Sequence, residues 1–112
     1  MKPYADFRII DNLCFVSGQV PLQNGVVDTG NDFYKLTKEA LESIRKIALS
    51  QKADLNKVIK TTLFTTDISK LDEVNKAYLE VFKKIKPVRS AIEVSNLAGN
   101  VNLEIDAVIS LK

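Results

Sequence analysis

The C-terminal segment alternates strictly. Val101, Leu103, Ile105, Ala107 and Ile109 interleave with Asn102, Glu104, Asp106, Val108 and Ser110. A period of two puts the first set on one face of an extended strand and the second set on the other. The chain must therefore build a sheet with one core face, and it must supply something to cover that face. Two segments do so. Phe33, Leu36, Ala40, Leu41, Ile44, Ile47 and Ala48 recur at helical spacing, with Lys35, Lys38, Glu42, Arg45 and Lys46 opposite them. Leu71, Val74, Ala77, Tyr78, Val81 and Ile85 form a second stripe. Each helix has one apolar face, so together they cover one side of a sheet. The other side must be polar and solvated, or must lie against a second subunit.

The remaining elements fit around this frame. Phe7–Ile10 and Leu13–Ser17, joined by Asp11-Asn12, read as a β-hairpin that Gly18-Gln19-Val20-Pro21 breaks. Asn24-Gly25 followed by Val26-Val27 suggests a further short strand. Asn31 or Thr29 can cap the first helix. The β-branched run from Val58 to Thr66 reads as a strand. Ser69-Lys-Leu-Asp72 reads as a capping box that opens the second helix, and Pro87 closes it. Strands at Val88–Val94 and Val101–Leu111 follow, joined by the turn-rich residues 95–100.

The order is β-β-(β)-α-β-α-β-β, an α+β class with a mixed sheet, two helices on one face and a single domain over residues 1–112. The strand–helix–strand unit from Val58 to Val94 crosses over right-handed, so its two strands run parallel. On Val88–Val94, Arg89, Ala91 and Glu93 alternate with Val88, Ser90, Ile92 and Val94. Taking the apolar set as core, Arg89 and Glu104 both leave the helix-covered side and share the opposite face.

Absences restrict the chemistry. The 112 residues contain no histidine, which excludes histidine acid/base catalysis, Ser-His-Asp triads and His-ligated metals. The single cysteine, Cys14, rules out an internal disulfide and a Cys-cluster zinc site, and it reads as a small buried residue. Gly18, Gly25, Gly30 and Gly99 fall in no phosphate-binding spacing. A net charge of +2, interleaved with acids, reads as solvated helix faces and not as a nucleic-acid patch. No segment approaches the ~20 apolar residues of a membrane span. The start Met-Lys-Pro-Tyr-Ala-Asp reads as the beginning of the fold and not as a signal peptide, so a cytoplasmic protein with no membrane partner is expected.

On spacing alone, an Arg and a Glu on the polar face of a sheet are more often a cross-strand ion pair than a site. The wider text adds to this. Phe15-Val-Ser-Gly-Gln-Val-Pro-Leu22, Lys60-Thr-Thr-Leu-Phe-Thr-Thr-Asp67, Val74-Asn75 with Tyr78, Pro87-Val-Arg-Ser90 and Leu103-Glu-Ile-Asp-Ala107 occur in order along the chain. Together they resemble the Rid (reactive intermediate deaminase, YjgF-like) family. The resemblance implies a chorismate-mutase-like fold assembled as a homotrimer, with three sites in clefts between subunits. It implies hydrolysis of small enamine or imine 2-amino acids, such as 2-aminoacrylate, to the 2-oxo acid and ammonia, with no cofactor or metal.

By the same resemblance, Arg89 is the clamp for the substrate carboxylate and Glu104 the acid that positions water. Tyr4, Ser17, Gly18, Asn75 and Ala91 line the pocket. Three positions depart from the family pattern. Ala91 stands where archetypal members carry a cysteine, Ala98 where a proline is usual, and Tyr4-Ala5-Asp6 where Tyr-Ser-Gln is usual. Two other functions compete: a trimeric carboxylate-binding or holdase-like module without turnover, and a ribonuclease or translation inhibitor. The latter is disfavoured by the missing histidines and by the lack of an aromatic-basic platform.

Overall fold

The computed structural model describes residues 1–112. Its strands are β1 (Phe7–Ile10), β2 (Leu13–Gln19), β3 (Leu22–Gln23), β4 (Val26–Val27), β5 (Val58–Thr65), β6 (Val88–Glu93) and β7 (Leu103–Ser110). The helices are α1 (Phe33–Ser50) and α2 (Leu71–Val81). The main sheet runs β1-β2-β7-β5-β6, while β3 and β4 pair as a separate hairpin. Every neighbouring pair is antiparallel except β5 and β6, which the α2 crossover makes parallel. The expected α+β class and the expected parallel pair are both present. The hairpin partner β3 was absent from the sequence reading. Its turn, Asn24-Gly25, holds both residues at positive φ (52° and 79°), where Asn and Gly carry the least strain.

The alternation of β7 governs the core. Leu103, Ile105, Ala107 and Ile109 are buried in one cluster with Leu36, Leu41 and Ile44 of α1 and Val74 and Tyr78 of α2. Cys14 and Val16 of β2 join them, and burial pushes the Cys14 thiol above its usual range. Thr37 also lies in the buried stripe of α1. Its hydroxyl returns a 2.6 Å hydrogen bond to the Phe33 carbonyl, which satisfies a polar group that a hydropathy pattern leaves out.

Three helix boundaries differ from expectation. The cap of α1 is Asp32, in extended conformation, whose carboxylate accepts from the Lys35 N–H at 3.2 Å; Asn31 and Thr29 lie too early. The capping box at Ser69–Asp72 does not form. Ser69 instead donates its backbone N–H and its hydroxyl to Asp67, which caps a 3₁₀ turn at Ile68–Lys70, and α2 starts behind that turn. At its far end α2 stops at Val81, well before Pro87, and the Phe82 N–H closes the last turn on the Tyr78 carbonyl at 2.8 Å. Phe82 is thus the final buried residue of the stripe, while Ile85 is 63% exposed.

The largest correction concerns β6. Its parallel register sets Arg89 beside Thr61, Ala91 beside Leu63 and Glu93 beside Thr65. Thr61, Leu63 and Thr65 all face the helices and are buried. Arg89 therefore lies on the helix-covered face, and Glu93, on the same face, accepts the Ile68 N–H. Val88 and Ile92 point the other way and are 66% and 43% exposed. Glu104 pairs with Phe64, away from the helices, so Arg89 and Glu104 sit on opposite faces of the sheet. The uncovered face is also less polar than expected, because Ile10, Phe15, Val88 and Ile92 are exposed on it.

These positions fix two stability differences. Ile105→Ala removes a fully buried side chain and is expected to cost about 2–5 kcal/mol in denaturant unfolding, whereas Ile85→Ala should change stability by less than about 0.5 kcal/mol. A comparable loss from Ile85→Ala would show that α2 extends to Pro87 in solution.

Candidate functional site

Arg89 reaches its surroundings through three elements. On β5, its register neighbour Thr61 turns its hydroxyl inward, 3.0 Å from the Tyr78 hydroxyl of α2, and that contact is buried. The Tyr78 ring in turn lies under the guanidinium, with the Arg89 Cζ 4.7 Å from its centroid. Phe82 braces the other end of the ring at a centroid distance of 5.4 Å. The result is a cleft of about 330 Å³ lined by Asn75, Tyr78, Leu79, Phe82, Lys86, Pro87 and Arg89, with two cations and no acid among them. The ion pairs within the chain engage Lys2, Lys35, Lys38, Arg45 and Lys70, and Arg89 takes part in none of them. A half-buried guanidinium with unpaired donors, stacked on an aromatic face, is suited to a carboxylate.

Glu104 stands in a second environment, on the uncovered face. A bulge in β2 between Val16 and Gln19 carries Gly18 onto it so closely that a Cβ at Gly18 would overlap the Glu104 carboxylate. Burial pushes the Glu104 carboxyl above its usual range, and the negative charge of Asp106 pushes it further. Asp106 is itself held, accepting the Thr62 N–H at 3.1 Å. Beside the bulge, the Ser17 hydroxyl donates to the Ala5 carbonyl at 2.6 Å, and the Ser17 N–H donates to the Asp6 carbonyl at 2.9 Å. These bonds tie the N-terminal segment to β2, where Tyr4, Phe15 and Ser17 line a shallow cleft.

The anticipated residues therefore fall into two groups. Asn75 and Arg89 share the helix-side cleft, and Ala91 follows on the same face of β6, packed against the core. Tyr4, Ser17, Gly18 and Glu104 gather around the β2 bulge and β7. Within one chain the two groups do not meet. Sequence reasoning missed Tyr78, Thr61 and Asp106 as parts of these environments. Tyr78 and Thr61 were assigned to a core stripe and a strand. A tyrosine hydroxyl on a buried stripe nonetheless requires a partner, and a threonine on the facing strand can supply it.

A family model described as Endoribonuclease L-PSP matches residues 1–111. A RutC family protein of Pyrococcus abyssi is 35% identical over 108 residues, covering 95% of this chain and 84% of that protein. Among solved structures, the Rid family protein YyfA of Yersinia pestis superposes with a TM-score of 0.91 at 32% identity, covering 98% of this chain and 89% of that one. The E. coli protein TdcF, solved with bound serine, superposes with a TM-score of 0.88 at 28% identity, over 98% of this chain and 89% of that one. The E. coli YjgF protein gives 0.90 at 26% identity, with 98% and 89% coverage. The fold common to these neighbours is chorismate-mutase-like.

Because its folded pKa is raised, Glu104 contributes stability below its unfolded pKa, and that contribution is lost as pH rises through the folded value. Denaturation across this window should show the loss in the native chain and not in Glu104→Gln. In a carbon-detected carboxyl titration, Asp106→Asn should move Glu104 back toward the ordinary range. An unmoved Glu104 would leave burial as its only cause.

Proposed function

The chain belongs to the Rid (YjgF, endoribonuclease L-PSP) family, and we propose that it hydrolyses enamine and imine forms of small 2-amino acids at a site completed by two copies of the chain. The observation that carries this reading is the Arg89 guanidinium, stacked on Tyr78 with its donors unpaired, in a cleft without acids. TdcF, a relative of the same fold, was solved holding serine, a small molecule with the carboxylate such a clamp would take.

The chemistry asks little of the protein. An imine carbon next to a carboxylate is already electrophilic. Bidentate pairing with Arg89 fixes the substrate, and a carboxylate with raised proton affinity accepts a proton as water adds to that carbon. Starting from the protonated imine, this gives an amino alcohol, which collapses when Glu104 returns that proton to nitrogen and takes the hydroxyl proton as the carbonyl forms. The C–N bond breaks, ammonia leaves, and a 2-oxo acid remains. No step requires a histidine.

Arg89 and Glu104 stand on opposite faces of one sheet, so a single copy offers a substrate one or the other. A ring of copies, each laying its uncovered face near the Arg89 cleft of the next, offers both. Exposed Phe15, Val88 and Ile92 provide apolar area for such contacts, and a homotrimer is the assembly proposed. The ribonuclease in the family's description would need acid/base groups for phosphodiester cleavage, and this chain would have to find them without histidine.

With 2-aminoacrylate generated in situ by a serine dehydratase, the native protein should accelerate 2-oxo acid release, and Arg89→Ala should lose on the order of 100-fold or more. Mixing Arg89→Ala with Glu104→Gln after joint refolding should restore about a quarter of native activity, the statistical share of mixed sites with both groups intact. No acceleration by the native protein sinks the deaminase reading. Absence of recovery, together with a monomer by sizing, sinks the shared site.

A further inference from the structure

We infer that Tyr78 is a positioning residue that holds Arg89 ready for an anion, and that Thr61 holds Tyr78. This rests on the function proposed above, since it names what keeps the clamp in place. The argument begins with the register. Parallel pairing fixes the Arg89 and Thr61 backbones side by side, both facing α2. The Thr61 hydroxyl lies 3.0 Å from the Tyr78 hydroxyl, in a buried contact between β5 and α2. The Tyr78 ring then lies against the guanidinium at 4.7 Å, which closes a triangle of backbone pairing, hydrogen bond and stack across β5, α2 and β6.

The triangle solves a specific problem. A free arginine side chain loses rotamer entropy when it binds, and one paired to a carboxylate of its own chain must give that partner up. Stacking on an aromatic face restrains the guanidinium while leaving the N–H groups in its plane unoccupied. No ion pair within the chain uses Arg89, so the ring restrains it without competing for its donors. The alternative is that Tyr78 is an ordinary core aromatic. Its 9% exposure fits either role; the guanidinium over its ring, with no carboxylate paired to it, favours the positioning role.

Two measurements separate the roles. Nitrogen relaxation of the Arg89 Nε–H in the unliganded protein should report a rigid group, near the ~0.85 order parameter of ordered backbone, in the native chain, and a lower value in Tyr78→Phe, which keeps the ring face but frees it from Thr61. In Tyr78→Leu it should fall below about 0.6. Equal rigidity in all three overturns the proposal, whatever the enzyme's activity. In a double-mutant cycle on kcat/KM, Tyr78→Leu should cost about 10-fold or more, and Tyr78→Phe should recover most of that loss. Tyr78→Leu combined with Arg89→Lys should lose at least about 5-fold less than the product of the two single losses, because lysine cannot use the shelf. Multiplicative losses overturn the proposal. If Tyr78→Leu fails to fold, Tyr78→Met keeps the volume without a ring face and takes its place. A flexible Arg89 in Tyr78→Leu alongside a fully active Arg89→Ala would keep the positioning role and reject the clamp.

Discussion

Strand β7 is fixed between two antiparallel neighbours, β2 and β5, and the rest of the molecule depends on that double pairing. With a ladder on each side, its side chains cannot exchange faces unless both registers slip together. Leu103, Ile105, Ala107 and Ile109 are thereby committed to the helices, and Glu104 and Asp106 to the opposite side. A carboxylate on that side would ordinarily be well solvated. The β2 bulge changes this by bringing a backbone without a side chain over Glu104, which removes water from it and raises its proton affinity. The register of one strand and the missing Cβ of one residue on its neighbour together determine the acid's chemistry.

The two halves of the candidate site use different physics. The cation is restrained by a π face, which lends it no competing anion. The acid is made a better proton acceptor by desolvation and by a like charge two residues along its strand. An enzyme with histidine can place binding and proton transfer close together on one group of residues. This chain has Arg89 and Glu104 on opposite faces of a sheet, and the shared site proposed above uses a second copy to bring both to one molecule.

Much of the fold was legible because its periodicities are long. Eighteen residues of α1 and eight of β7 leave little room for a wrong period. The misread start of α2 has a physical cause, which is that a polar group was judged without its partner. Asp67 outcompetes Asp72 for Ser69 because the 3₁₀ turn places the Ser69 N–H and hydroxyl against it. Phe82 and not Ile85 completes the α2 stripe, since the helix unwinds before Ile85 can reach the core.

Strand β6 shows the limit most clearly. Its apolar residues Val88 and Ile92 were taken as core, because in a lone chain apolar means inside. The parallel register with β5 reverses this, sending Arg89 and Ala91 toward the helices and the aliphatic residues outward. Such an inversion is unfavourable for a chain that stays alone and reasonable for one whose outer face is covered by another copy. It also bears on Ala91. That residue pairs with Leu63 and packs on the core, so its side chain answers first to the sheet. A small residue there keeps the β5–β6 pairing, and the Thr61–Arg89 register with it, free of crowding from the helix side. Ala91, one of the three positions read from the sequence as departures from the family pattern, is therefore tied through the sheet to the placement of Arg89.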